Sequence, residues 1–284
     1  MGIAYSVVDA GDVRIAVPRN GPDAKVVYVG PDSVFLVEAA RRLAPRGERA
    51  ADLGAGSGFV SLALASRYRT VIASDLVLEA AAFARLALSL NQWPAGHVTA
   101  VAATDVAMGL REHSFDLVTA NAPWVPHIGP HDASRAFAVG GTLGVELPTR
   151  FVREGAALLR PGGVGITLAL DVTLHDGRRP LLELCADLED DGYATAMLPT
   201  PINTTYTDLR TTMLQRQPLL ADAVHVAVVV GAPREPGDRR DALLTAAAAL
   251  RRRWSANLAS HVQSVPAMAT HRTCDHPPAR SQVD

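Results

Sequence analysis

The chain has 284 residues, 48% of them hydrophobic, with a formal net charge of −2 and a pI near 6.5. That is material for one large core or two small ones, and it carries no global field to recruit nucleic acid or a membrane surface. The start lacks a basic segment followed by a long apolar run, no uncharged apolar run could cross a bilayer, and Cys185 and Cys274 lie far apart, so the expectation is a reducing cytoplasm without signal peptide, membrane span or disulfide framework.

In chain order, Ala4–Val8 and Val13–Val17 read as two strands joined across 9–12 into a hairpin. Val26–Val29 is a further extended piece. Gly30-Pro31-Asp32-Ser33 gives a turn and a cap, because Asp and Ser accept from first-turn amides. A helix is expected over Ser33–Leu43, with Phe35, Leu36, Ala39 and Leu43 at core spacing. Ala50–Leu64 reads as the end of a buried strand, a glycine-rich turn and an apolar helix reaching about Tyr68. Further strands are expected at Thr70–Asp75, Val98–Ala103, Phe115–Ala120, Val164–Leu170, Ala194–Leu198 and Val224–Val230. Helices are expected at Leu78–Leu90, Val145–Leu159, Arg179–Leu188 and Ala242–Asn257, with Arg160-Pro161-Gly162-Gly163 as a stop and Arg251–Arg253 as a solvated helix end.

Strands alternating with helices imply an α/β doubly wound sheet, and continuous apolar strands imply that it is mostly parallel. The expected plan is a hairpin extension over 1–25, the main domain over 26–231, a C-terminal helix within 232–263 and a disordered tail over 264–284. His271, Cys274 and His276 cluster in that tail, too few ligands for a metal site. Val125–Gly144 is a long irregular loop, of a length that is often functional.

The chemistry is read from the turn after Asp52. Its spacing is Gly54-x-Gly56-x-Gly58, whereas a dinucleotide fingerprint needs its third glycine where Phe59 stands. An acid before the first glycine would repel a pyrophosphate but suits the ammonium of an amino-acid-like ligand, which favours S-adenosylmethionine over NAD. The turn opens a helix whose first N–H groups are expected to hold a polar ligand group. In doubly wound sheets ligands sit outside the carboxyl ends of strands, where strand order reverses. Asp52, Asp75, Asp105 and Asn121 lie at or just beyond the ends of four successive strands.

Asp52-Leu53-Gly54-Ala55-Gly56-Ser57-Gly58, with Asp75 and Asp105 behind it, resembles the class I S-adenosylmethionine-dependent methyltransferases. Asn121-Ala122-Pro123-Trp124 is similar to the Asn-Pro-Pro-Tyr motif of HemK-like N5-glutamine methyltransferases and related amino-group methylators. Tyr28 with Gly30–Phe35 is similar to the segment before the first helix in the branch that lacks a separate helical domain. The resemblance covers about Val26 to Gly231. It implies a Rossmann-like, seven-stranded sheet with helices on both faces. S-adenosylmethionine is then held by Gly54, Ala55, Gly56 and Gly58, with Tyr28, Ser33, Asp52, Leu76 and Asn121 completing the set. Asp75 would accept from the ribose hydroxyls, and Asp105 would face the adenine amine. Asn121 and the carbonyl of Ala122, before Pro123, would accept from a substrate N–H₂ and aim its lone pair at the methyl group. Trp124 would stack on a planar substrate.

Two departures from the family pattern, Ala122 for proline and Trp124 for tyrosine, shift the expected acceptor from glutamine toward a planar small molecule. The expected function is therefore methyl transfer to a nitrogen of a small molecule, with no nucleic-acid or membrane partner. N5-methylation of a glutamine in a protein substrate, C-methylation of an aromatic small molecule, and a binding module without turnover stay open. In the long loop, His127 and His131 are candidates for taking the released proton, since imidazole titrates near neutrality.

Overall fold

In the computed structural model the described residues are 5–10, 12–18, 29–92, 98–127, 138–204, 206–232 and 240–256. Tyr28, His131, most of the Val26–Val29 piece and the expected tail with its His271, Cys274 and His276 lie outside them.

The chain begins with a hairpin, β1 (Tyr5–Ala10) against β2 (Val13–Pro18). Seven later strands form one sheet: β3 (Gly47–Leu53), β4 (Tyr68–Asp75), β5 (Val98–Ala103), β6 (Phe115–Asn121), β7 (Leu159–Leu174), β8 (Ala194–Pro199) and β9 (Leu220–Gly231). Their spatial order is β5-β4-β3-β6-β7-β9-β8. The pairs from β5 to β7 are parallel, and β9 runs antiparallel to both its neighbours. The chain steps outward from β3 to β5, then crosses back to β6 on the other side of β3. That reversal between β3 and β6 makes the crevice where such sheets bind ligands.

Successive strand residues face opposite sides, so the sheet carries two cores. On one side Ala50, Leu117, Ile166, Leu168 and Ala227 meet α1 (Pro31–Leu43), α2 (Phe59–Leu64), α3 (Leu78–Ser89) and α7 (Arg240–Ala256). On the other, Leu53, Val118, Ala169 and Val228 meet α4 (Glu146–Leu158) and α5 (Pro180–Asp190). A third cluster, with Trp124, Leu170, Val172 and Met213, lies under α6 (Thr207–Arg216).

The hairpin is fastened to α3. Asn91 Nδ2 donates to the Arg14 carbonyl at 2.7 Å and its Oδ1 accepts from the Arg14 amide at 2.8 Å, so one side chain imitates a neighbouring strand. At the other end of the chain, Trp254 on α7 packs edge-on against Phe35, and its indole N–H donates to Glu38 at 3.1 Å.

Several boundaries differ from the sequence reading. Helix α1 starts at Pro31 behind Gly30, with no side-chain cap: proline at the first position needs no N–H partner, which frees Asp32 and Ser33 for other contacts. Helix α2 stops at Leu64, a 3₁₀ turn follows over Ala65–Arg67, and Tyr68 already belongs to β4, buried with its hydroxyl donating to the Pro45 carbonyl at 2.6 Å. Arg160–Gly163 does not separate α4 from its strand; β7 starts at Leu159, and the register shift opposite Phe115 and Leu117 absorbs the glycines. The 3₁₀ turn Pro201–Thr204 and α6 were not foreseen, because α6 is rich in Thr and Arg and buries only Met213.

Candidate active site

The glycine turn lies at the β3–α2 junction. Gly54, Gly56 and Gly58 have φ of +66°, +53° and +76°, a region that L side chains avoid. The last two serve different ends. A Cβ at Gly58 would press on Ala84 of α3 at 3.2 Å, so Gly58 is there for helix packing. A Cβ at Gly56 would meet nothing within 4 Å among the described residues, which leave one face of the turn open.

The amides of this turn are largely engaged. Ala55 N donates to Ser74 O at 2.8 Å, Gly56 N to Asp75 Oδ2 at 2.9 Å, and Gly58 N to Ala55 O at 2.8 Å. The helix that follows, α2, is six residues long, and its Ser61 amide is taken by Asp52.

The expectation for Asp52 is corrected. It is 2% exposed and faces inward, accepting from Ser61 N at 3.0 Å, Ser61 Oγ at 2.6 Å and Thr119 Oγ1 at 3.0 Å. Burial pushes its carboxyl up to about 6, against the pull of those donors. It braces the turn from below rather than meeting an ammonium directly. Asp75 sits at the rim. It accepts from Gly56 N and from Val77 N, each at 2.9 Å, which leaves it two further acceptor positions, and burial raises its carboxyl from the ordinary range.

Beyond Asp75, the strand edge is apolar and open. Leu76 and Leu78 are 68% and 70% exposed, and Met108, which sequence reasoning passed over, is 67% exposed. Thr104 N donates to Asp75 O at 2.9 Å, so the turn bearing Asp105 and Met108 is tied to the end of β4. Asp105 itself takes a 2.8 Å bond from Arg150 Nη1 of α4.

Asn121, at the end of β6, points to the α1 side. Its Nδ2 donates to Ser33 Oγ at 3.1 Å, and its amide works against burial in setting the carboxyl of Asp32. The amide nitrogen is thereby directed at α1, and Oδ1 is left as its acceptor. Asp32 is the residue that sequence reasoning missed, taken only for a helix cap. It is 3% exposed, burial raises its carboxyl, and Ser33 N donates to it at 2.8 Å. The Pro31 start of α1 is the signal that could have found it.

Ala122 is buried, Pro123 is half-buried, and Trp124 is only 7% exposed. The indole packs with its ring 4.7 Å from His225 and 5.9 Å from Tyr206. The expectation of a stacking platform is thus replaced by a packed wall: enlarging tyrosine to tryptophan fills the third core cluster. His225 on β9 is a second residue the sequence hid, inside the apolar run Val224–Val230. Its Nδ1 is 2.7 Å from Thr200 Oγ1, its Nε2 is buried without a hydrogen-bond partner among the described residues, and burial drives its pKa down to about 3.

The described ends of the long loop are drawn back to the motif. Val125 N donates to Ala138 O at 2.8 Å, Gly140 N to Val125 O at 2.9 Å, and His127 N to Gly141 O at 2.9 Å, with the His127 side chain exposed.

Residues 29–171, just over half of the chain, match the family model described as methyltransferase small domain. No curated protein matches the sequence. Among solved structures the chain is similar to Trm5b from Pyrococcus abyssi, with a TM-score of 0.53, 16% identity, and 82% of this chain and 57% of that one covered. It is similar to P. horikoshii TYW2 in complex with MeSAdo, with a TM-score of 0.52, 13% identity, and 82% and 73% covered. The M. jannaschii tRNA m1G37 methyltransferase gives a TM-score of 0.51, 14% identity, and 83% and 59% covered. At these identities the likeness is one of fold, and this chain spans less than two thirds of Trm5b.

Proposed function

The chain belongs to the methyltransferase small domain family, and we propose that it is an S-adenosylmethionine-dependent methyltransferase that transfers the methyl group to a nitrogen of a small molecule held at Asn121. The residues fit the cofactor. The face above Gly56 is one that any Cβ would intrude on, and Asp75 keeps two acceptor positions beside it for a vicinal diol. Leu76 and Met108 offer exposed apolar surface for a purine, with Asp105 at its edge. Ser33, Ala55 and Gly54 line the same end of the sheet; Asp52 contributes by holding the turn's shape.

The bound cofactor supplies a methyl group that its sulfonium already makes electrophilic. What the chain's own residues supply is orientation, an effect worth several kcal/mol in well-aligned reactions. The single observation that carries the proposal is the state of Asn121. Its amide nitrogen donates to Ser33 Oγ, which leaves the amide oxygen as the acceptor, and an acceptor there suits a nucleophile bearing N–H. The carbonyl of Ala122 is the second acceptor that would hold the same group. The buried Trp124 supports a small acceptor, since it closes the wall that an open stacking platform would need.

The test is transfer of radiolabelled methyl from S-adenosylmethionine into cell extract, fractionated into small molecules, protein and nucleic acid. Label in a small molecule with N-methyl chemistry is expected. Label in glutamine of a protein would favour the HemK-like reading, and label in RNA would replace both.

A further inference from the structure

Asp105 stands in a turn, 104–108, whose shape is fixed by one bond within it and three from its surroundings. Val106 at its centre has φ +47°, a conformation that a β-branched residue adopts only where its surroundings force it. Four bonds do so. Thr104 Oγ1 donates to Met108 O at 2.6 Å, and Ser74 Oγ to Val106 O at 3.2 Å. The other two come from α4: Ala107 N donates to Glu154 Oε2 at 3.1 Å, and Arg150 Nη1 donates to Asp105 Oδ1 at 2.8 Å. Arg150 Nε is bonded in turn to Glu154 Oε1, one helical turn on.

Exposure decides what this arrangement is for. The side chains of Arg150, Asp105 and Glu154 are 39%, 37% and 30% exposed, so water screens them and the pairing is a weak source of stability. It is a strong source of direction, because a planar guanidinium held at two of its nitrogens has little freedom left. One oxygen of Asp105 is thereby fixed on Arg150. The other takes no part in that bond, and the turn that carries it is tied to the end of β4, next to Leu76.

We propose that Arg150, backed by Glu154, is a positioning residue for the cofactor: it aims the second oxygen of Asp105 at the exocyclic amine of adenine and so sets the selectivity of the site for that base. The proposal rests on the reading of Asp105 as the adenine contact. A carboxylate accepts from an amine and repels a carbonyl, so a base with oxygen in place of the amine measures the aim directly.

The experiment compares S-adenosylhomocysteine with S-inosylhomocysteine by calorimetry on the full chain, in wild type, Asp105→Ala, Arg150→Ala, Arg150→Lys and Glu154→Gln. Wild type is expected to prefer the adenosyl compound, and Asp105→Ala to lose most of that preference. Arg150→Ala should cut the preference about tenfold while inosyl affinity stays within about twofold, and Arg150→Lys, which keeps the charge without the fork, should fall between. Glu154→Gln should cut it about threefold. A preference lost in Asp105→Ala but kept in Arg150→Ala overturns the positioning role alone. A preference unmoved by Asp105→Ala overturns the adenine reading itself. Equal falls for both compounds in Arg150→Ala would mean a merely structural role and also overturn it; Arg150→Lys decides the same point if Arg150→Ala fails to fold.

Discussion

The two halves of the site are built in opposite ways. On the β3–β4–β5 side, groups are presented outward: the open face of Gly56, the rim carboxylates Asp75 and Asp105, and the bare Leu76 and Met108. On the β6–β7–β9 side, groups are turned inward: Trp124 and His225 are 7% and 3% exposed, and Asp32 is 3% exposed behind Asn121. The first half is a surface made to receive a ligand of fixed shape. The second is a packed body that shows little besides one amide oxygen. On the reading proposed above, the cofactor side would work by contact area and the acceptor side by the aim of a single group.

The largest test of that contrast is Trp124→Ala. If the indole is a wall, removing it should cost about 3–5 kcal/mol of stability in denaturant unfolding. A stacking platform would leave stability nearly unchanged and raise KM instead, which would erase the contrast. Next is Asn121→Ala. It should lower kcat/KM for the methyl acceptor at least a hundredfold, about 2.7 kcal/mol at 1.36 kcal/mol per decade, while cofactor affinity measured by calorimetry moves less than about threefold. Equal losses in both would move Asn121 to the cofactor half.

Asp52 comes third. Its carboxyl is protonated more readily folded than unfolded, about 6 against an ordinary value of 3.8, so its favourable contribution is complete below about pH 4 and is lost as pH rises to 6. Asp52→Asn removes that titration. The stability of the variant relative to wild type should improve by on the order of 2–3 kcal/mol between pH 4 and pH 7, read from parallel denaturation curves. A flat difference would mean that Asp52 meets solvent or ligand, in line with the other rim acids. The smallest effect is expected for Asp75→Ala, about tenfold in S-adenosylmethionine affinity, with roughly 1 kcal/mol of apo stability lost along with the Gly56 and Val77 amide bonds. A loss of stability without loss of affinity would make Asp75 a turn brace only.

The same contrast explains what could be read in the sequence. The proposed cofactor half is local: a strand, a glycine spacing and an acid at or beyond the next two strand ends lie within Asp52–Asp105, where apolar strands and glycine spacing place them and the family resemblance suggests their roles. The parallel sheet and its order of elements follow from the alternation of apolar strands and helices. The acceptor half is assembled from the start of α1, the end of β6, the middle of β9 and a 3₁₀ turn, which are far apart in the chain. Asp32 looks like a cap until Pro31 is seen to begin the helix. His225 looks like one polar residue in an apolar strand until Thr200 and Trp124 close on it. Asp52 shows the limit within the legible half, since its position was readable and the inward turn of its carboxylate was not.

The link between Trp254 and α1 bears on how the protein is made. Every strand of the sheet, through Gly231, is synthesised before Trp254 exists, and until then Phe35 and Glu38 have no indole to cover or bond them. The helix they belong to is also the one whose first turn clamps Asn121. The indole thus joins the last described helix to the one that holds Asn121, as an outer layer on an α1 that already packs against α2, β6 and β7.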